Sequence, residues 1–262
     1  MFGQRPIRIN QAVSDAIFLS EVSTKTTKLT VTAIALVLVA TPITLKMYDL
    51  QTSQPSTRPN AISLPVKVAC VGDSITQDSE YPYDLQAMLG SNYSVRNFGS
   101  KESTVLRLSW KPYMNQTEFQ SAMDFQPDIV VIMLGTNDGL AMLQPFNESF
   151  EKEYTALVDS FQQLDGYQQI FIVKSPPIFS NNTDLNPAFH SETIIPKTEE
   201  LANKLNLPII DVYNRCSDHP DYFEDGVHPN SQGAALIAFE VYGAISEQDI
   251  LTVDTFGEVN LI

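Results

Sequence analysis

The stretch VKVACVGDSIT, residues 66–76, indicates how the rest of the chain is organised. Its first six residues form a short apolar run rich in β-branched valine, which is typical of a buried strand. Gly72 and Asp73 end that run, so a strand-to-helix turn is predicted at Ser74. Such a turn places the serine hydroxyl beside the free backbone N–H groups of a helix N-terminus. Taken alone, Ser74 or Asp73 fits a simple helix cap equally well.

Apolar runs of this kind alternate with helix-length amphipathic stretches along residues 62–247. The predicted strands are Val66–Val71, Tyr93–Phe98, Ile129–Leu134, Ile170–Val173 and Pro208–Val212. The predicted helices lie near Tyr83–Leu89, Thr117–Phe125, Phe150–Leu164, Glu192–Leu205 and Ser231–Ile245. This alternation predicts an α/β fold, a three-layer α/β/α sandwich with a five-stranded parallel sheet, because parallel strands need crossover connections. Ligands bind such sheets beyond the carboxyl ends of the strands.

Composition and charge exclude several classes of protein. Hydrophobic residues make up 43% and charged residues 18%, which excludes a largely disordered chain. Cys70 and Cys216 are the two cysteines, too few for a disulfide-dense scaffold, and free thiols are expected. Residues 61–262 carry ten Lys/Arg and twenty-eight Asp/Glu, a formal charge of −18. Nucleic acid is therefore not an expected partner, because an anionic body repels phosphate backbones.

The N-terminal part of the chain has a different character. Residues 29–45 are uncharged and apolar, and they precede a polar linker at residues 46–61. We interpret residues 29–45 as a transmembrane signal-anchor, with a cleaved signal peptide or a buried core element as alternatives. Basic residues are more frequent in residues 1–28, so the positive-inside rule predicts a cytosolic N-terminus. Residues 248–262 are predicted to form an acidic, weakly structured tail.

This orientation predicts a lumenal or extracellular body on a single-pass membrane protein, or a secreted one if the segment is cleaved. Four N-x-S/T sequons agree with that location and predict a glycoprotein. They begin at Asn92, Asn115, Asn147 and Asn181.

Three further motifs follow predicted strands or precede the last helix. They are Asn97-Phe98-Gly99, Gly135-Thr136-Asn137-Asp138 and Asp225-Gly226-Val227-His228. The first two resemble ordinary turns when considered separately. The third places a carboxylate three residues before a histidine on a loop, so Asp225 can hold the imidazole while its other nitrogen faces a nucleophile. Two other histidines are left without a catalytic role: His219, and His190, which is predicted to be solvated surface.

The four motifs GDSIT, NFG, GTND and DGVH, in this order, resemble the blocks of the SGNH (GDSL-type) hydrolase superfamily. The sequences that surround two of them, PDIVVIMLGTND and DGVHPNSQGAALIA, are most similar to those of the branch that contains carbohydrate O-acetylesterases. The resemblance covers residues 66–245 and implies a flavodoxin-like SGNH hydrolase fold. It implies a serine esterase that hydrolyses small acyl esters, above all O-acetyl groups on carbohydrates.

The resemblance also assigns roles to individual residues. It implies Ser74 as nucleophile, His228 as general base and Asp225 as the partner of that histidine. The oxyanion hole then consists of the backbone N–H groups of Ser74 and Gly99 and the side-chain amide of Asn137. Glycine at position 99 is expected to leave room for the carbonyl oxygen. No cofactor and no metal are expected.

Some questions remain open at this level. Trp110 and Tyr113 are predicted to border the site and bind substrate, although packing at the rim explains them as well. A lipase-type α/β-hydrolase is set aside because Thr76 stands where its G-x-S-x-G elbow has glycine. A lysophospholipase or acyl-thioesterase on the same fold, and a non-catalytic glycan-binding domain, remain alternatives. No pattern indicates an oligomeric state.

Overall fold

One parallel sheet organises the body of the protein. The computed structural model describes residues 65–166, 168–180 and 184–254. Its strands β1 to β5 span Val66–Gly72, Tyr93–Gly99, Ile129–Met133, Gln169–Val173 and Ile209–Ile210. All of them pair in parallel, in the spatial order β2-β1-β3-β4-β5. The predicted α/β fold with a five-stranded parallel sheet is confirmed.

Alternating side chains along the strands supply a core to each face of the sheet. On β1, Val68 and Cys70 belong to one apolar cluster, and Ala69 and Val71 belong to the other. Successive strand side chains point to opposite faces, so a continuous apolar run serves both. Each fully buried valine or leucine contributes about 1.5–3 kcal/mol. Helices therefore cover both faces, and Cys216 packs as a free buried thiol in the same cluster as Cys70.

The five longer helices of the described residues lie close to the predicted positions, and three short ones lie outside the predicted helical ranges. We number them α1 to α8: Ser74–Gln77, Tyr81–Leu89, Thr117–Phe125, Phe150–Gln162, Pro187–Phe189, Ile195–Lys204, Val212–Cys216 and Ser231–Asp254. A π-helical turn, His190–Ile194, joins α5 to α6. Helices α2 and α8 pack on the face of Val68, whereas α3, α4 and α6 pack on the face of Ala69.

In two segments the kind of secondary structure differs from the prediction. Strand β5 ends at Ile210, and the predicted strand residue Val212 begins α7 instead. The carboxylate of Asp211 accepts the backbone N–H of Asn214 at 3.0 Å, and such capping starts a helix. Helix α8 continues to Asp254, so residues 248–254 of the predicted weakly structured tail are helical.

The N-terminal predictions lie outside the described residues. These are the cytosolic segment 1–28, the anchor 29–45 and the whole of the linker 46–61. Among the residues that the structure describes, no helix combines the length and apolar character needed to cross a bilayer.

The carboxyl ends of β1 and β2 come very close to helix α1. Gly72 and Gly99 are neighbours in the sheet register. A Cβ atom on Gly99 would lie 2.6 Å from Cα of Gln77 in α1, a contact with backbone that cannot move aside. Glycine at position 99 is therefore required by the packing of α1 on β2, a constraint separate from the expected room for a substrate carbonyl.

We predict that Gly99→Ala lowers the free energy of unfolding by about 1–3 kcal/mol, because the added methyl group overpacks this junction. Gly243→Ala is the matched control: it adds the same methyl group within helix α8, where no atom lies within 4 Å. That control should gain about 0.5–1 kcal/mol from its better helix propensity. Urea unfolding of both variants measures the difference, and equal stability of the two would contradict the packing constraint.

Candidate active site

Ser74 begins helix α1 just after β1, so its hydroxyl lies at the carboxyl edge of the sheet. Asp73 caps helix α1 by accepting the backbone N–H of Ile75 at 2.9 Å. Both interpretations of the turn therefore hold, since Asp73 caps the helix and Ser74 is left to present its hydroxyl. Only 6% of Ser74 is exposed to solvent.

The structure brings the three residues of the predicted triad into one hydrogen-bonded row. Ser74 Oγ lies 2.9 Å from His228 Nε2, across 154 positions of sequence. His228 Nδ1 lies 2.7 Å from Asp225 Oδ2. The side chains of His228 and Asp225 are 42% and 58% exposed, so this part of the row is accessible to solvent. This geometry suits proton transfer from the hydroxyl to the imidazole.

The loop that carries Asp225 and His228 is held by its own carboxylate. Asp225 Oδ1 accepts the backbone N–H groups of Val227 at 2.8 Å and His228 at 2.7 Å. Gly226, which follows Asp225, has a φ of 80°, and a Cβ there would lie 2.5 Å from Ser180 Cβ. Partial burial raises the pKa of Asp225, but the hydrogen bonds from the His228 backbone, the His228 ring and the Val227 backbone outweigh it and hold the pKa below its ordinary value. Asp225 therefore stays ionised beside the imidazole.

The three predicted oxyanion donors differ in their hydrogen bonding. Among the described residues, the Ser74 N–H has no acceptor in the protein. The Gly99 N–H donates to Asn97 Oδ1 at 2.8 Å. Asn137 Nδ2 donates to the Ser103 carbonyl at 3.0 Å and lies 3.4 Å from Asp73 Oδ2. The structure brings these groups to the same sheet edge, with two of the three donors already engaged.

Two buried carboxyl groups lie behind the site: Asp73, which the sequence indicated only as a helix cap, and Asp138, which it did not single out. Asp138 is fully buried and accepts the backbone N–H groups of Val105 at 3.0 Å and Leu106 at 2.9 Å. Burial raises its pKa to about 7, although these hydrogen bonds oppose the shift. Burial likewise raises the pKa of Asp73 to about 6. The only signal of Asp138 in the sequence is its place after Asn137 in GTND.

The two aromatic residues predicted to bind substrate differ in their exposure to solvent. Trp110 is 54% exposed and lines an open groove. Tyr113 is only 1% exposed, so its predicted place at the rim is wrong. Its hydroxyl donates to the Phe98 carbonyl at 2.7 Å and its ring meets the edge of Phe119. A tyrosine finds both an apolar packing site and a buried acceptor there, so it belongs to the core.

His190 is also misplaced by the sequence, which indicated solvated surface. It is fully buried, and its Nε2 lies 2.9 Å from Ser175 Oγ. The helix start at Pro187, capped by the side chain of Asn186, turns the ring inward against Gly139. Its Nδ1 has no partner among the described residues, and burial lowers the pKa of His190 to about 4. The third histidine, His219, stacks on Tyr222.

No cluster of three or more potential metal ligands occurs in the described part of the chain, and this includes the acidic loop before His228.

Comparison with known protein families and sequences finds relatives of the body. The profile of the GDSL-like lipase/acylhydrolase family matches residues 70–236. An acetylxylan esterase of Xylanibacter ruminicola is 30% identical over 207 residues, 69% of this chain and 43% of that protein. GDSL esterase/lipase CPRD49 of Arabidopsis thaliana is 23% identical over 145 residues, 47% of this chain and 56% of that protein. The chain thus spans about half the length of these relatives.

Solved structures share the fold of the body. The acetyl xylan esterase AlAXEase superposes with a TM-score of 0.57 at 20% identity and covers 69% of this chain and 100% of its own. A carbohydrate acetylesterase family member from Sinorhizobium meliloti gives 0.56 at 21% identity, covering 70% and 98%. At this identity the likeness establishes the three-layer fold.

Because His190 is buried, we predict that the free energy of unfolding depends on pH through this residue. The unfolded chain takes up a proton near pH 6.5, whereas the folded protein takes it up only near pH 4, so stability is lost as the pH falls through this window. The loss is on the order of 3 kcal/mol. The excess stability of the wild type over His190→Gln should shrink between pH 6.5 and 4 and stay constant above pH 7. Urea unfolding of both proteins at stepped pH measures this difference. The contributions of Asp73 and Asp138 cancel in it because both proteins contain them. A difference that does not change with pH would contradict the prediction.

Proposed function

Because this chain belongs to the GDSL-like lipase/acylhydrolase family, we propose that its body is a serine esterase that removes acetyl groups from carbohydrate hydroxyls. The observation that carries the proposal is the row from Ser74 Oγ through the His228 ring to Asp225, with distances of 2.9 and 2.7 Å. The acetyl preference is supported by two relatives named as an acetylxylan esterase and a carbohydrate acetylesterase.

The first half of the reaction forms an acyl-enzyme. Ser74 Oγ attacks the ester carbonyl carbon while His228 Nε2 accepts the hydroxyl proton. Asp225 keeps the ring oriented and stabilises the imidazolium through Nδ1. The tetrahedral intermediate then collapses, the bond to the sugar oxygen breaks, and His228 returns the proton to that oxygen. In the second half, water attacks the acetyl-Ser74 ester with His228 as base, which releases acetate and restores the serine.

The oxyanion that forms in each half needs donors set in advance. The Ser74 N–H is free to donate. Asn137 Nδ2 can turn toward the oxyanion by exchanging its long 3.4 Å contact with Asp73 while keeping the Ser103 carbonyl. The Gly99 N–H serves as third donor if it is shared between Asn97 Oδ1 and the oxyanion. Ser74 and Asn137 therefore carry most of the stabilisation in this proposal.

A series of p-nitrophenyl esters from acetate to decanoate tests this function on the full chain. We expect a preference for acetate and no turnover above background by Ser74→Ala. Asn137→Ala should lose about 10²–10³ in turnover because one oxyanion donor is removed. Asp225→Asn should lose up to about 10⁴, because the ring is no longer held in the productive tautomer.

The second serine–histidine pair provides a matched control. Ser175 lies 2.9 Å from His190 Nε2, the same distance as in the proposed triad, but it is buried and has no route to a substrate. Ser175→Ala should therefore remain active on the acetate ester. Preference for long acyl chains would indicate a lysophospholipase or thioesterase, and no Ser74-dependent turnover would indicate a glycan-binding domain.

For the N-terminal part we propose a signal-anchor at residues 29–45 with the body in the lumen or outside the cell. Its support is the uncharged apolar run and the basic residues before it. Asn92 and Asn115 are exposed and open to glycosylation, whereas Asn147 donates its amide to the Gln144 carbonyl at 2.6 Å and Asn181 lies outside the described residues.

Expression of the full chain in a eukaryotic cell tests this topology. We expect the chain to stay in the membrane pellet after alkaline extraction and to shift in mass after removal of N-glycans. Combined Asn92→Gln and Asn115→Gln substitution should abolish most of that shift. A chain that is unglycosylated and fully extracted would contradict the proposal.

A further inference from the structure

An open groove is lined in part by Leu140 and Ala141, which follow Asn137 in the chain, and it has no role in the reaction described above. It has a volume of about 920 Å³, within the range of ligand sites, about 300–1000 Å³. Trp110 forms one wall, Leu140 and Met142 form the second, and residues 184–187 form the third. Another depression, of about 710 Å³, includes Gln169 and Pro208 at the amino ends of β4 and β5, the end of the sheet where such folds do not bind ligands.

Hydrogen bonds tie the walls of this groove to Asn137 and its neighbour Asp138. The loop that carries Trp110 is fixed to the neighbouring Asp138, which accepts the backbone N–H groups of Val105 and Leu106. The Leu140 N–H donates to the Asn137 carbonyl at 3.2 Å. The Ala141 N–H in turn donates to the Asp184 carbonyl at 3.4 Å, which ties the third wall to the second. A substrate whose ester reaches Asn137 therefore extends along these walls.

The lining combines apolar faces with polar groups at the edge. Trp110 and Met142 are 54% and 67% exposed, so both present apolar surface to a ligand. Among the described residues, neither the Asp184 carboxylate nor Asn186 Nδ2 has a partner in the protein. An aromatic face beside one acceptor and one donor suits a sugar ring, which has an apolar C–H face and hydroxyls at its edge. An acyl chain would instead remove the water molecules that hydrogen-bond to the Asp184 carboxylate, and it has no donor to replace them.

Charge restricts which sugars fit. Residues 61–262 carry a formal charge of −18, which disfavours an anionic glycan. The three cations between β2 and Tyr113 already have partners. Lys101 Nζ lies 3.7 Å from Asp78 Oδ2, Arg107 contacts Met114 Sδ at 3.2 Å, and Lys111 Nζ donates to the Lys101 carbonyl at 2.5 Å. A neutral sugar needs no counter-charge in the groove.

We propose that the Trp110 groove binds the sugar chain of a neutral acetylated polysaccharide and positions its ester at Ser74. This inference rests on the proposed function, because an acetyl group is small and the rest of such a substrate is sugar. The groove then determines KM for the polysaccharide, while the triad determines turnover of any acetyl ester.

The test compares kcat/KM of Trp110→Ala on acetylated xylo-oligosaccharides and on p-nitrophenyl acetate. We expect the loss on the oligosaccharides to exceed the loss on the small ester by about tenfold, mainly through KM, and Trp110→Phe to recover most of it. Phe239→Ala is the matched control: Phe239 is 56% exposed on α8, close to the 54% of Trp110, and should leave the ratio of the two substrates unchanged. Acetylated oligogalacturonides should be poorer substrates than xylo-oligosaccharides, by a margin that narrows as salt is added.

The failures of the two proposals are distinguishable. Lack of Ser74-dependent hydrolysis of p-nitrophenyl acetate by the wild type overturns the proposed function itself. If the wild type is active but Trp110→Ala loses both substrates equally, or neither, the groove does not bind the sugar. A selective loss on p-nitrophenyl decanoate would show that it holds an acyl chain, and faster turnover of the galacturonides would refute the preference for neutral sugars.

Discussion

Two buried carboxyl groups, Asp73 and Asp138, hold together the loops on which the site depends. Asp138 accepts two backbone N–H groups from the loop after β2, and Asp73 caps α1 while facing the amide of Asn137. The loops that follow β1, β2 and β3 are thus tied to one another behind Ser74. Without these acceptors, several backbone N–H groups would be buried without partners, each at a cost of about 1–3 kcal/mol. The positions of Ser74 and Asn137 follow from this network.

The network has an energetic cost that its hydrogen bonds only partly offset. Burial raises the pKa of Asp73 to about 6 and that of Asp138 to about 7, so both groups hold a proton more tightly in the folded protein than in the unfolded chain. Their contribution to stability is therefore largest at low pH and declines as the pH rises from about 4 to 7. His190 has the opposite dependence. An arrangement that destabilises the protein near neutral pH yet fixes the site loops is typical of functional sites.

The two serine–histidine pairs differ in ways that separate the proposed catalytic pair from the buried one. Ser74–His228 and Ser175–His190 have the same 2.9 Å separation. His228 has the ionised Asp225 at its second nitrogen and an opening to solvent, which allow it to become an imidazolium. His190 has neither, because its Nδ1 has no partner in the described part of the chain and its side chain is buried. Distance alone does not make a catalytic pair; the charge and access around the imidazole do.

Local patterns were enough to predict the parallel sheet, the succession of strands and helices along the chain, and the residues that meet at the carboxyl edge. This was possible because β-branched runs and strand-end motifs are visible in short stretches, and parallel strands bring their ends together. Which side chains are buried depends instead on tertiary contacts. Tyr113 and His190 lie in segments whose local pattern resembles surface, yet packing against Phe119 and Gly139 buries them. The end of β5 at Ile210, the hydrogen bonds already made by Gly99 and Asn137, and the groove beside Trp110 were likewise invisible, because each depends on contacts between residues far apart in the chain.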